Sequence, residues 1–215
     1  MASFIDYDNK FIFVHVPKTA GTATTGSLVG LELNSNQAFF NHAKEGKDDR
    51  NIEYIGPAGH ITTKEIRGKI GDKKYESFFK FTVMREPYSW LVSMFEWRYQ
   101  PTIFSAVAPY HYSNFEMFID AFFDVNEKLQ SDWFTSDNKI QVDLIGNFSN
   151  LEKELDKVSN TCGIQVSKLR RVNVKKQYKT SDHYSNKRIT DKATGLLEKD
   201  LQLYEELFGT KRKIM

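Results

Sequence analysis

Lys18 is the residue of this chain best placed to do chemistry. It sits in the turn Pro17-Lys18-Thr19-Ala20-Gly21-Thr22, after the β-forming run Phe11, Ile12, Phe13, Val14 and before a threonine-rich segment. Read locally, this is a buried strand running into a loop and then a helix. A helix N-terminus offers backbone N–H groups with no intrahelical partner and the positive end of the helix dipole, and both favour a bound anion. A lysine in that loop can reach the same anion as a point charge. The chemistry implied is the binding of a phosphate-type group and transfer of a charged one. The same pattern also serves as an ordinary strand, Pro-Lys turn and helix start. It is not a Walker A loop, where lysine follows the second glycine; here Lys18 precedes Gly21.

The elements that must position Lys18 alternate strand and helix. Strands are expected at Lys10–Val16, Glu53–Ile55, Phe78–Met84 and Ile140–Gly146. Helices are expected at Thr22–Leu33, Thr63–Ile70 (capped by Thr62 or Thr63 and closed by Gly71), Pro87–Tyr99, Phe115–Phe123 (capped by Asn114) and Leu151–Cys162. A last helix is expected with Thr190 as its cap and its end at about Phe208, with Leu196, Leu197, Leu201, Leu203, Tyr204, Leu207 and Phe208 as core. Asn34–Asn51 and Gln100–Ser113 read as irregular. This alternation predicts an α/β fold with a mainly parallel central sheet flanked by helices, in one domain over residues 1–215. Lys18 and Arg85 both fall after strand C-termini, where ligands of such sheets bind.

Composition narrows the function classes. A formal charge of only +2 over 215 residues argues against nucleic acid as the main partner and is compatible with a small anion. The single cysteine, Cys162, can form no internal disulfide, and no Cys/His cluster suggests zinc. The N-terminal MASFIDYDNKF lacks the pattern of a signal peptide, and no apolar run reaches the length of a membrane span. A cytoplasmic location is the expectation. The 17 phenylalanines predict a Phe-rich core.

HVPKTAGT (His15–Thr22) resembles the 5′-phosphosulfate loop of sulfotransferases that use 3′-phosphoadenosine 5′-phosphosulfate (PAPS). FTVMREPYSWLVSMFEW (Phe81–Trp97) resembles their 3′-phosphate motif, a strand ending in Arg followed by a helix carrying Ser. The pair is most similar to carbohydrate sulfotransferases with a PKT-type loop, including the 2-O-sulfotransferase-like group. Gly59-His60 resembles a GH motif of that family, DLIGNFSNLEKEL (Asp143–Leu155) its IGRFENLE stretch, and Asn173 with Tyr178 and Tyr184 its C-terminal Asn-then-Tyr segment; Lys175 departs from the small polar residue expected there.

The resemblance implies a P-loop-kinase-like sulfotransferase architecture and sulfuryl transfer from PAPS to an acceptor hydroxyl, with carbohydrate as the acceptor class and no metal. It assigns Pro17, Lys18, Thr19, Ala20, Gly21, Thr22 and Ala23 to the 5′ end of the cofactor, and Arg85 and Ser93 to the 3′-phosphate. Lys18 would stabilise the leaving phosphate oxygen. His60 is the first choice of general base, because an ordinary imidazole titrates near neutral pH. His15 reads as a core residue, and His42, His111 and His183 lie in polar stretches. The basic residues Lys168, Arg170, Arg171, Lys175 and Lys176 line an anion or form a solvated face. Tyr99, Tyr110 and Tyr112 belong to an acceptor pocket or to the core. Two other classes remain open on sequence: a P-loop-like kinase, and a non-catalytic module binding a nucleotide or sulfated glycan.

Overall fold

A computed structural model of the chain describes residues 3–30, 51–56, 60–98, 114–122, 128–170 and 179–209. Residues 31–50, 57–59, 99–113, 123–127 and 171–178 lie outside the described residues, and with them most of the stretches expected to be irregular and His42, Gly59, Tyr99, Tyr110, His111, Tyr112, Arg171, Asn173, Lys175, Lys176 and Tyr178. The chain divides into two compact units, Met1–Met84 with Asp132–Lys175, and Arg85–Ser131 with Lys176–Met215.

The first unit is built on a five-stranded sheet. Its strands are β1 (Ser3–Asp6), β2 (Phe11–Val14), β3 (Ile52–Ile55), β4 (Phe79–Met84) and β7 (Leu144–Asn147), in spatial order β3-β1-β2-β4-β7. β2 pairs in parallel with β4, and β4 with β7. β1 opposes both β2 and β3, so β3 points the same way as β2 and the sheet is mostly parallel. The fold class therefore stands as expected. β1 itself was not expected. It forms because Asp6 turns the chain, its carboxylate accepting from Asn9 N at 3.0 Å and Asn9 Nδ2 at 2.8 Å, which folds four residues back onto β2.

Both sheet faces are covered, so the strands alternate between two apolar layers. Phe4, Phe11, Phe13, Phe81 and Val83 face one side and meet helices α1 (Gly21–Val29) and α6 (Leu151–Cys162). The rings interlock, with Phe4–Phe13 and Phe13–Phe81 centroids 5.7 and 5.8 Å apart. Helix α6 contributes Leu151, Leu155 and Val158, one apolar stripe at helical spacing. Each such side chain stabilises the fold by about 1.5–3 kcal/mol. Ile5, Ile12 and Val14 face the other side and meet Ile66 of α2 (Thr63–Ile70) and Tyr75 of α3 (Asp72–Ser77).

The expected strand Ile140–Gly146 is two elements. Asp137 and Asn138 both take positive φ, at 51° and 57°, and close a two-residue hairpin between β5 (Thr135–Ser136) and β6 (Lys139–Ile140). The chain then re-enters the main sheet only at Leu144. The break is held by Asp143, whose carboxylate accepts from Lys80 N at 2.7 Å and pairs with Lys80 Nζ at 2.9 Å.

The second unit is helical. Its core joins α4 (Pro87–Arg98), α5 (Phe115–Ala121) and α8 (Lys187–Phe208) through Trp90, Leu91, Phe118, Phe122, Leu197 and Leu201. A short α7 (Thr180–His183) precedes α8. Helix α8 starts three residues earlier than Thr190, because Asn186 caps it by accepting from Ile189 N at 3.0 Å. Leu207, expected in the core, is exposed. Among the described residues no helix is long and apolar enough to cross a membrane.

Candidate active site

The loop after β2 is shaped by its backbone. Lys18 and Ala20 both adopt the left-handed conformation, with φ 65°. For residues carrying a Cβ this costs about 1–2 kcal/mol each. Thr19 between them is fully buried, and its hydroxyl donates to Val16 O at 2.8 Å, tying the turn to the strand end. The Thr19 hydroxyl thus has a partner inside the loop. Helix α1 begins at Gly21 with Ala20 as N-cap, so no side chain caps it, and its first turn carries no acid.

Helices α2 and α4 close their own N-termini. In α2, Thr62 and Glu65 form a reciprocal capping box. In α4, the Glu86 carboxylate accepts from Tyr88 N at 3.0 Å and Ser89 N at 2.8 Å. The helix that follows Lys18 thus has neither a capping side chain nor an acid in its first turn, while the helix that follows Arg85 has a carboxylate at its positive end. The rest of the threonine cluster packs. Thr24 and Thr25 are fully buried, and with Gly26 and Ser27 they let α1 lie close against the sheet.

Beneath the loop lies His15, buried as expected from its place at the strand end. A Cβ on Gly21 would fall well under 3.0 Å from three atoms of the His15 ring. Glycine is required there by contact, since Gly21 lies in a helix with no unusual φ. The His15 ring also meets the His60 ring, with centroids 4.5 Å apart. His60 Nδ1 is 3.3 Å from His15 O. A carbonyl only accepts, so Nδ1 carries the proton and Nε2 holds the lone pair. The backbone approach to His60 needs Gly56, which has φ +98° and whose Cβ would meet His60 O at 2.7 Å. Burial pushes the His60 imidazole down to about 4, with the His15 carbonyl working against that shift. His60 is therefore a neutral imidazole across the physiological range. The half-buried Trp133 ring stands 5.7 Å from it, a neighbour that carried no motif and that the sequence reading missed.

Arg85 and Ser93 belong to the helical unit. Arg85 Nε donates to Ser89 Oγ at 3.1 Å, and Ser89 Oγ donates to Glu86 O at 2.9 Å. Ser93 lies one helical turn beyond Ser89, on the same face of α4. Burial draws the Arg85 guanidinium down from its ordinary range, and Glu86 works the other way. The backbone of Arg85 is clamped by the Gln130 amide on both its N–H and its C=O, each at 2.9 Å. Gln130 was also missed, since a lone glutamine in a polar stretch gives no sequence signal.

Remaining candidates fall elsewhere. His183 pairs with Glu96 at 3.0 Å and packs between Phe95 and Phe115. Tyr184 is core, its hydroxyl donating to Tyr88 O at 3.0 Å. Lys168 and Arg170 are exposed. Burial raises the Cys162 thiol to about 11, which keeps it protonated and unreactive. Among the described residues no group of His, Cys, Asp or Glu could hold a metal ion.

The loop after β2 suits the handling of an anion beside a neutral imidazole. Residues 1–208, nearly the whole chain, match the family model described as the Sulfotransferase family. Neither curated proteins nor solved structures give a match to the chain. Sulfuryl transfer is the chemistry of the matched family, and the chain belongs to the sulfotransferase family.

Proposed function

We propose that the chain transfers a sulfuryl group from PAPS to a hydroxyl of an acceptor, in line, and that the acceptor is a carbohydrate. The reading takes residues 1–215 as one sulfotransferase domain. The observation that carries it is the start of α1: an N-terminus with no capping side chain and no acid, entered through left-handed Lys18 and Ala20 and backed by a neutral His60. A donor set of backbone N–H groups, lysine, arginine and hydroxyls fits a nucleotide carrying phosphates at both ends.

When bound, PAPS supplies the sulfuryl group and a phosphate oxygen that takes up charge. The chain's part is positioning and charge stabilisation, as in phosphoryl transfer. Lys18 to Ala23 present backbone N–H groups to the 5′ end, Pro17 fixes the entry to the turn that carries them, and Lys18 places a mobile positive charge for the leaving oxygen. Arg85, with its planar fork, and Ser93 hold the 3′-phosphate. His60 presents Nε2 to take the proton of the acceptor hydroxyl. Its basicity rises when anionic charge enters nearby. The Trp133 ring beside His60 offers an apolar face of the kind against which sugar rings pack.

The test is transfer of radiolabelled sulfate from PAPS across a panel of carbohydrates and simple alcohols. His60→Ala lowers turnover by about 10²–10⁴ while nucleotide affinity is retained. Wild-type turnover in that variant removes His60 as base. Nucleotide binding without transfer to any acceptor favours the non-catalytic module.

A further inference from the structure

We propose that Gln130 and Asp200 are positioning residues for Arg85, and that this pair sets the preference for a nucleotide with a 3′-phosphate. The inference rests on the reading of Arg85 as the 3′-phosphate residue. It goes beyond that reading by naming what aims the guanidinium.

Gln130 is fully buried and uses both ends of its side-chain amide on one residue. Its Oε1 accepts from Arg85 N and its Nε2 donates to Arg85 O, both at 2.9 Å, across 45 positions of sequence. This two-point clamp satisfies Arg85 as a neighbouring strand would, just where β4 has ended. It fixes both peptide planes at Arg85 and so the direction of its Cα–Cβ bond. The side chain is then held at Nε by Ser89, and the planar fork of a guanidinium is the geometry that matches phosphate.

Gln130 is itself held from farther away. Asp200 Oδ2 accepts from Gln130 N at 2.8 Å and Oδ1 from Ser131 N at 3.0 Å. Asp200 is fully buried on α8, on the stripe that carries Leu197, Leu201 and Tyr204. A carboxylate in such a stripe is costly unless it is well bonded, and an apolar residue there would stabilise the helix packing more cheaply. Both oxygens grip successive N–H groups at the turn that carries the Gln130 side chain. The order of support runs from α8 to the turn at Gln130, and from there to the backbone of Arg85.

The experiment measures dissociation constants for adenosine 3′,5′-bisphosphate and adenosine 5′-monophosphate in the full chain. The ratio of the two isolates the 3′-phosphate. Gln130→Met keeps the volume, removes both bonds to Arg85 and leaves the Asp200 bonds to the backbone intact. Asp200→Asn keeps the shape but can accept at one oxygen only. Both variants are expected to lower the affinity ratio by about tenfold, with the monophosphate affinity held within about twofold. Should Asp200→Asn fail to fold, Gln130→Met, the milder change, decides. A role in stability alone weakens both ligands together, and that result overturns the proposal. An unchanged ratio in Gln130→Met, with a ratio that collapses in Arg85→Met, overturns it as well and leaves the Arg85 reading standing. An unchanged ratio in Arg85→Met removes the Arg85 reading itself, and the proposal with it.

Discussion

Replacing Gly21 by alanine tests how the anion loop is seated. The added Cβ lands on the His15 ring, well under 3.0 Å from three of its atoms. The ring has little room to yield, because His60 lies 4.5 Å away and Phe13 6.0 Å away, centroid to centroid. His15 N is also bonded to Ser3 Oγ at 2.9 Å. Overpacking costs about 1–3 kcal/mol, and a Cβ set this closely against His15 Nε2 belongs at the upper end, about 2–3 kcal/mol. Alanine recovers at most about 1 kcal/mol of helix propensity over glycine. The net loss is then about 1–2 kcal/mol, or about 2–8 °C in Tm for a chain of this size. Urea unfolding of the wild type, Gly21→Ala, His15→Ala and the double variant measures it as a cycle. The clash disappears when the ring is gone, so the double variant should be more stable than the sum of the single losses by about 1 kcal/mol or more. A Gly21→Ala protein as stable as the wild type, or an additive cycle, refutes the contact argument.

Three further outcomes follow from other parts of the structure. His60, held near 4 against an ordinary 6.5, stays neutral in the folded chain while the unfolded chain takes up a proton. The unfolded state binds more protons in that window, so stability falls as pH drops from about 6.5 to about 4, by at most about 3 kcal/mol; urea midpoints of His60→Gln should show a flatter dependence, and an equal slope counts against burial as the cause. Asn186→Ala removes the cap of α8 and should cost about 1 kcal/mol in thermal unfolding with no change in nucleotide affinity. Tyr184→Phe leaves Tyr88 O without its buried donor and should cost about 1 kcal/mol by the same measurement, without loss of turnover.

Much of the frame was legible because it follows from local pattern. Thr63–Ile70 and Leu151–Cys162 appear with the ends read from caps and glycines, and Asn114 caps α5 as expected. What failed locally failed for tertiary reasons. β1 is four residues long and exists only as the partner of β2 and β3. The Ile140–Gly146 run looked continuous because hydrophobicity does not show the Asp143 contact with Lys80, which breaks it.

Among the candidate residues, Lys18, Gly21, His60 and Arg85 stood out by residue type and spacing. The reason for Gly21 did not, because it is the ring of a residue six positions earlier. Trp133, Gln130 and Asp200 act through contacts across 45 or more positions, beyond any local pattern. Asp200 alone left a trace: an acid on the apolar face of the last helix, between Leu197 and Leu201.

The central claim is that this fold takes a nucleotide recognised at its 3′-phosphate as well as its 5′ end. Thermal unfolding of the full chain with adenosine 3′,5′-bisphosphate, compared with ATP and Mg²⁺, tests it most directly. A ligand that binds only the native state at about 100 times its Kd adds about 2.7 kcal/mol of stability. The bisphosphate should raise Tm by several degrees and ATP should not. A shift with ATP and none with the bisphosphate would contradict the claim.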